Sequence, residues 1–188
     1  KTAPKYLIEV AFDILASNID FGKYKDYGTA DARKNFKMFN YIKKYFIETP
    51  ILLCNGERYK KRSGVASGSY FTQLVDSIIN YILCKWICLR SEVTLLKIRV
   101  LGDDSIMATS TLLNLDTCQS LLSEVGMSLN VKKSSVSTRL YNMTFLGYEI
   151  RDGFPYKPYD VWISSLIFPE RPDRSVDEFL TRVLGLGY

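Results

Sequence analysis

The chain has 188 residues, of which 47% are hydrophobic and 24% charged, so it is long and apolar enough to bury a sizeable core. It contains no histidine, which excludes Ser-His catalytic triads and His-ligated zinc. No run of about 18 apolar residues is free of polar interruption, which excludes a membrane-spanning helix. The net charge of +5 is compatible with a polyanionic partner, and four cysteines without C-x-x-C spacing indicate a reduced protein whose thiols fill the core.

Two amphipathic helices are predicted near the start of the chain. Over residues 5–17, the apolar side chains that share one helical face are Leu7, Val10, Ala11, Ile14 and Leu15. Over residues 31–46, they are Phe36, Phe39, Ile42 and Phe46, with four lysines among them. The second helix is therefore basic. Because the chain begins with Lys1 rather than Met, we expect it to be a piece of a longer protein.

A hairpin and a long helix are predicted next. The segment "YFIETPILLCNGERYKKRSG" combines β-forming residues with an Asn55-Gly56 pair, whose tolerance of positive φ predicts a tight turn. Its return strand is basic, with Arg58, Lys60, Lys61 and Arg62. From Thr72 to Arg90, pairs of apolar residues recur every four positions, which predicts a long buried helix.

The remaining elements are predicted from shorter patterns. Residues 97–109, "KIRVLGDDSIMAT", predict two strands joined by a turn, with apolar arms that we expect to be buried. A helix is predicted over 115–125, with Asn114 as its N-cap. The segment "TFLGYEI" at 144–150 is predicted as a strand, and Ser175–Glu178 has the spacing of a capping box before a last helix.

Two adjacent acids, Asp103 and Asp104, follow Gly102 at the predicted turn. Two carboxylates so close repel each other, so the turn must be either solvated or neutralised by a cation. Oxygen ligands alone favour Mg²⁺ or Mn²⁺. Glycine and aspartate are also common in ordinary turns, so these three residues by themselves leave both interpretations open.

Upstream of the acids, the small-residue loop Ser63–Ser69 runs directly into the long helix. Such a loop lets backbone N–H groups approach a ligand closely, and the following helix N-terminus favours an anion, so a phosphate group fits there. Thr72 and Asp76 lie four residues apart and share one helical face. An adjoining polar stripe consists of Gln73, Ser77 and Asn80. A solvent-facing helix edge remains the alternative interpretation for the last two.

The order and spacing of these segments resemble those of viral RNA-dependent RNA polymerases, over essentially the whole chain. "SGVASGSYFTQLVDSIIN" resembles motif B of that family, and "VLGDDS" resembles motif C. "EVGMSLNVKKS" is similar to motif D, "FLGYEI" to motif E, and "SLIFPERPDRS" with "LTRVLGLGY" to the start of the thumb. The combination is most similar to the polymerases of partitiviruses and their relatives among the double-stranded RNA viruses.

The resemblance implies an α+β fold: a right-hand polymerase palm, in which an antiparallel sheet is backed by helices, with part of the fingers and the start of the thumb. Residues 1–62 would supply a palm helix and a fingers insertion, residues 63–153 the palm with motifs B, C, D and E, and residues 154–188 the start of the thumb. In this family motif A and further fingers motifs come before the "KTAP" segment. We therefore expect residues 1–188 alone to be inactive.

The resemblance also implies catalytic roles. Asp103 and Asp104 match the motif C carboxylates that hold two metal ions, so both are candidate catalytic and metal-binding residues, with Mg²⁺ as the cofactor and Mn²⁺ as an alternative. Lys133 matches the motif D lysine that protonates the departing pyrophosphate, and the neighbouring Lys132 is the alternative.

The candidate nucleotide- and RNA-binding residues lie in motif B and just before it. Ser67 and Gly68 match the loop that follows the templating base and the incoming nucleotide. Thr72 and Asp76 match positions associated with ribose selection, although many relatives carry Asn where this chain carries Asp76. The other members of the set are Gln73, Asn80 and Arg62.

The expected partners are the RNA template and product and ribonucleoside triphosphates, with a viral capsid protein as a further candidate and no membrane. The expected location is the host cytoplasm, with the interior of the virion as an alternative. Two other functions stay open. One is a noncatalytic, palm-like RNA-binding module whose basic strand and helix contact phosphates. The other is a reverse transcriptase, which usually carries an aromatic residue in place of Leu101-Gly102 before the paired acids.

Overall fold

The computed structural model describes residues 3–23, 30–139 and 143–186. Within these ranges the chain forms six α-helices and seven strands. They belong to two compact units, Lys1–Val136 and Ser137–Tyr188. The boundary between these units lies inside residues 63–153, the range predicted for the palm. Because the units are defined by compactness and not by sequence motifs, the predicted domain ranges stay a prediction.

The helices of the first unit begin and end close to the predicted positions. They are α1 (Lys5–Asn18), α2 (Ala32–Ile47), α3 (Thr72–Arg90) and α4 (Leu115–Glu124). The predicted N-cap of α4 is confirmed, because the side chain of Asn114 accepts hydrogen bonds from the N–H groups of Asp116 and Thr117. Asp31 caps α2 in the same way through the N–H of Lys34.

The two hairpins of the first unit are also confirmed. Strands β1 (Pro50–Leu52) and β2 (Arg58–Lys60) pair antiparallel around the Asn55-Gly56 turn, and Gly56 has the expected positive φ of 85°. Strands β3 (Leu95–Leu101) and β4 (Asp104–Thr109) form the second antiparallel hairpin.

The core of the first unit lies where its four helices meet. Ile8 and Phe12 of α1 and Val75 of α3 are fully buried. The ring of Phe12 packs 5.2 Å from that of Phe46 in α2 and 5.4 Å from that of Phe71, the residue before α3. Aromatic rings at these separations contribute beyond their buried area, so this cluster joins α1 and α2 to the start of α3.

The predicted core faces of α1 and α2 are wrong in part. Val10 and Ile14 were assigned to the core face of α1, but they are 42% and 38% exposed, whereas Ile8 and Phe12 are buried. Because α1 is apolar on more than one face, its helical period fits either orientation. In α2, Phe36 is likewise 48% exposed rather than buried.

The arms of the β3–β4 hairpin are less buried than expected. Side chains of one face, including Ile98 and Val100, are half-buried, and the other side chains of β3 are mostly exposed. No side chain of β3 or β4, both of which the structure describes fully, is buried. The prediction of two buried arms is therefore wrong: among the described elements only α3 packs extensively against this hairpin.

The second unit contains a small antiparallel sheet and two helices. Its elements are β5 (Thr144–Phe145), β6 (Tyr148–Arg151), β7 (Phe154–Tyr156), α5 (Tyr159–Ile167) and α6 (Val176–Leu186). The single strand predicted over 144–150 is wrong. It is divided by a two-residue turn at Leu146-Gly147, where φ is 54° and 76°, the pattern of a type I′ hairpin turn.

The last helix begins as predicted, since the N–H of Glu178 donates to the Ser175 hydroxyl. Helix α5 was not predicted, and it is tied to α6 by Arg182. The Arg182 guanidinium donates to the carbonyl oxygens of Ser165 and Leu166 and pairs with Asp173 at 2.6 Å. This hydrogen-bonded pairing lowers the pKa of Asp173 below its usual range.

All strand pairs of the described chain are antiparallel, and helices and sheets are mixed, as predicted. No helix within the described ranges is long and apolar enough to cross a bilayer.

Candidate active site

The two adjacent acids lie at the tip of the β3–β4 hairpin. Leu101 pairs with Asp104, so the loop between the strands consists of Gly102 and Asp103. Of these two, only Gly102 has positive φ, at 61°, which is the φ pattern of a type II′ turn. Asp103 and Asp104 are both exposed. The turn therefore presents two neighbouring carboxylates to solvent.

Helix α3 holds this turn from behind. The hydroxyl oxygen of Ser77 accepts a hydrogen bond from the N–H of Gly102 at 2.8 Å, and the side-chain amide of Asn80 donates to the carbonyl of Gly102 at 3.1 Å. Both side chains are half-buried. The interpretation of Ser77 and Asn80 as a solvent-facing helix edge is therefore wrong.

The contact between α3 and the hairpin continues through two cysteines. The sulfur of Cys84 lies 3.4 Å from Oδ1 of Asn80 and 3.6 Å from the hydroxyl of Ser105, and the sulfur of Cys88 lies 4.0 Å from that of Met107. Burial raises the pKa of both thiols, which keeps them protonated and unreactive. Cys84, Cys88 and Cys118 are buried in the core, as predicted, but Cys54 is exposed, so the prediction is wrong for that cysteine.

A third carboxylate, that of Asp76, lies on α3 directly before Ser77. Burial raises its pKa, and the negative charge of Asp103 raises it further. Thus Asp76 lies close enough to Asp103 for the two charges to repel. Among the described residues, no group of three or more His, Cys, Asp or Glu is arranged as a ready-made metal site.

The loop before α3 is anchored at its start and exposed at its tip. The N–H of Gly64 donates to the carbonyl of Ala3 at 2.7 Å, and the Thr72 hydroxyl donates back to the carbonyl of Ala66. Ser67 and Gly68 are exposed, and Gly68 has a φ of 83° with no atom within 4 Å of the position that a Cβ would take. The tip is therefore open to a ligand, as the phosphate or nucleotide interpretation requires.

Lys61 is the main residue that the sequence placed wrongly. It was grouped with a phosphate-contacting strand, but it is only 9% exposed, its ammonium donates to the carbonyl of Gly64 at 2.6 Å, and it lies 5.0 Å from the ring centroid of Phe46. Its neighbour Lys60 pairs with Glu48 instead. Burial lowers the pKa of Lys61. Lys61 directly follows β2, and the available signal was the alternation of side chains in an extended chain, which sends adjacent lysines to opposite sides.

This arrangement agrees with comparisons to known proteins. Residues 1–160 match the family described as viral RNA-dependent RNA polymerase. The chain belongs to this family. The resemblance identified from motifs B to E is confirmed.

Relatives of this chain are named RNA-directed RNA polymerases. That of Cryptosporidium parvum virus 1 (strain KSU-1) is 29% identical over an alignment of 202 residues, which covers 96% of this chain and 36% of the relative. That of Atkinsonella hypoxylon virus (isolate 2H) is 27% identical, and the alignment covers 85% of this chain and 26% of the relative. That of white clover cryptic virus 1 (isolate Boccardo/2004) is 28% identical, and the alignment covers 75% of this chain and 25% of the relative. The chain thus spans about a third or less of the length of each relative.

Solved structures support the fold. The crystal structure of the RNA-dependent RNA polymerase of a human picobirnavirus superposes with a TM-score of 0.73 at 19% identity, covering 96% of this chain and 34% of that chain. Its insertion-loop deletion mutant gives a TM-score of 0.72, also at 19% identity, covering 96% and 35%. The predicted α+β polymerase fold is confirmed.

The other predicted site residues are exposed, and none of them is seen to contact the acidic turn within the described part of the chain. Lys132 and Lys133 lie on a 3₁₀ turn at Val131–Lys133, and within the described residues neither forms an ion pair with the turn. Arg62 and Gln73 are also exposed. Their roles, and the choice between Lys133 and Lys132, stay predictions.

Proposed function

We propose that this chain is part of an RNA-directed RNA polymerase of an RNA virus, which adds ribonucleotides to RNA on an RNA template. The observation that carries the proposal is the turn of Gly102, Asp103 and Asp104, which projects two adjacent carboxylates beside the helix that follows the exposed Ser67-Gly68 loop. Family membership supports it, and the match to RNA-dependent polymerases favours this function over reverse transcription.

The donors at the turn fit Mg²⁺. Asp103 and Asp104 offer exposed carboxylate oxygens, and Mg²⁺ is commonly held by one or two protein carboxylates while water and substrate phosphates complete its octahedron. When bound, such ions activate the primer hydroxyl and neutralise charge on the transferring phosphate. Mn²⁺ would be tolerated as an alternative.

The remaining site residues would bind and orient the substrates. Ser67 and Gly68 would contact the nucleotide and its templating base, and the Asp76 carboxylate would accept a hydrogen bond from the ribose. Lys133 would hold the proton that the departing pyrophosphate takes up. The other proposed contacts to nucleotide or RNA are Thr72, Gln73, Asn80 and Arg62.

We extend the proposal to partners and location. RNA template, RNA product and ribonucleoside triphosphates follow from the family's activity, whereas a capsid protein partner is the less direct proposal. The host cytoplasm, or the interior of the virion, is the proposed site of action.

The experiment compares variants of the full-length polymerase on a primed RNA template. Asp103→Asn should abolish nucleotide addition without changing the melting temperature by more than about 2 °C, because the amide is nearly isosteric but a weaker, neutral ligand. Asp104→Asn should lose less activity and regain part of it in Mn²⁺. The matched control is Asp116→Asn, an exposed acid on α4, which should retain activity. Ordinary activity of Asp103→Asn would refute the assignment.

A further inference from the structure

We propose that Ser77 and Asn80 are positioning residues that clamp the backbone of Gly102 and thereby set the direction in which Asp103 and Asp104 present their carboxylates. The inference rests on the proposed function of those two acids. It assigns to α3 a task in addition to carrying nucleotide-binding residues.

The clamp holds two consecutive peptide groups. The N–H of Gly102 belongs to the peptide that follows Leu101, and its carbonyl belongs to the peptide that precedes Asp103. Ser77 accepts from the first at 2.8 Å, and Asn80 donates to the second at 3.1 Å. Because each peptide group is planar, anchoring both planes fixes the Cα of Asp103 relative to α3.

Apart from the Leu101–Asp104 strand pair that closes it, the turn has little else among the described residues to hold it. Nothing lies within 4 Å of the position that a Cβ would take on Gly102, and the acids that follow are exposed. Glycine is the most flexible residue, and two adjacent carboxylates repel each other, so both features would loosen an unsupported turn. The strand pair closes the turn, and the two side chains of α3 add the contacts that fix its direction relative to the helix.

Further hydrogen bonds determine how the clamp is oriented. The Ser77 hydroxyl donates its own proton to the carbonyl of Gln73 at 2.6 Å, which leaves its lone pairs for the N–H of Gly102. Oδ1 of Asn80 accepts from the thiol of Cys84 at 3.4 Å, so the amide NH₂ faces the Gly102 carbonyl. Because residues three apart on a helix share a face, a single face of α3 carries the acceptor and the donor that one glycine needs.

The clamp and a nucleotide contact have different kinetic signatures. A side chain that binds nucleotide raises KM when it is removed, whereas a side chain that only aims the catalytic carboxylates lowers kcat and leaves KM nearly unchanged. Misplacement of a reacting group by about 1 Å can slow a reaction by about a hundredfold.

The experiment uses the full-length polymerase and three serine variants. Ser77→Ala removes the acceptor, and Ser77→Thr keeps a hydroxyl there. The control is Ser120→Ala on α4, because its hydroxyl also donates to a carbonyl four residues back, that of Asp116, but contacts no turn. The first readout is amide hydrogen exchange at Gly102 in metal-free buffer. The second is kcat and KM for ribonucleotide addition.

Ser77→Ala should speed exchange at Gly102 by about threefold to tenfold, the effect of one lost hydrogen bond. It should also lower kcat by about tenfold or more, with KM within about twofold. Ser77→Thr should restore both, and Ser120→Ala should change neither. Unchanged exchange in Ser77→Ala, or a rise in KM alone, would overturn the clamp. A wild-type protein without activity would instead overturn the proposed function, and the exchange measurement would still decide whether the clamp exists.

Discussion

Replacement of Phe12 by alanine tests whether the phenylalanine cluster stabilises the packing of α1 and α2 against the start of α3. Phe12 is fully buried, and its ring packs 5.8, 5.2 and 5.4 Å from those of Phe39, Phe46 and Phe71. Truncation of a buried phenylalanine costs about 3–5 kcal/mol, and the three ring contacts place this case in the upper half of that range. We therefore expect the free energy of unfolding to fall by about 4–5 kcal/mol.

The control and the assay follow from the same structure. Phe36→Ala removes a ring that is 48% exposed and packs against Phe21 at 5.3 Å, so it should cost about 1 kcal/mol. Guanidinium unfolding of residues 1–188 can be followed through Trp86, which packs against the core of the first unit. The background is Trp162→Phe, since this sequence contains two tryptophans. Equal destabilisation by Phe12→Ala and Phe36→Ala would refute the reasoning.

Two further predictions concern buried charges. Burial and the charge of Asp103 raise the pKa of Asp76, so the folded state holds the carboxyl proton more tightly than the unfolded state does. The free energy of unfolding should therefore fall as the pH rises from the ordinary pKa of 3.8 through the raised pKa. Asp76→Asn should abolish that fall and raise the melting temperature at pH 7. Burial lowers the pKa of Lys61, so wild-type stability should rise with pH between the lowered pKa and the ordinary 10.5. Lys61→Met should flatten this pH dependence of the melting temperature and speed proteolysis of the loop Ser63–Ser69, whereas Lys60→Met should do neither.

The elements that were predicted well depend on neighbours in sequence. Three examples are the Asn55-Gly56 turn, the Asn114 cap and the apolar period of α3. Each depends on residues that lie close to one another in the sequence. Local chemistry decides such features before tertiary packing does. The motif C turn was located for the same reason, since Gly102 is the residue that its positive φ requires.

The features that were missed depend on distant partners. The clamp joins Ser77 and Asn80 to Gly102 across 25 and 22 residues, and no local pattern marks such a pairing. The burial of Lys61 is decided by Phe46 and by the Gly64 carbonyl. Likewise, which face of an apolar helix is buried is set by the helices around it.

Motifs B and C, which lie apart in sequence, form one hydrogen-bonded structure. At the start of the loop before α3, Lys61 donates to the carbonyl of Gly64, and at the first turn of α3 the Thr72 hydroxyl donates to the carbonyl of Ala66. On the next turns of α3, Ser77 and Asn80 hydrogen-bond to the backbone of Gly102. Short acidic turns are common in proteins, and what distinguishes this one is the helix that orients it. The polar stripe of α3 should therefore be judged by its effect on the acids, because a substitution there can spare the helix and still misdirect the carboxylates.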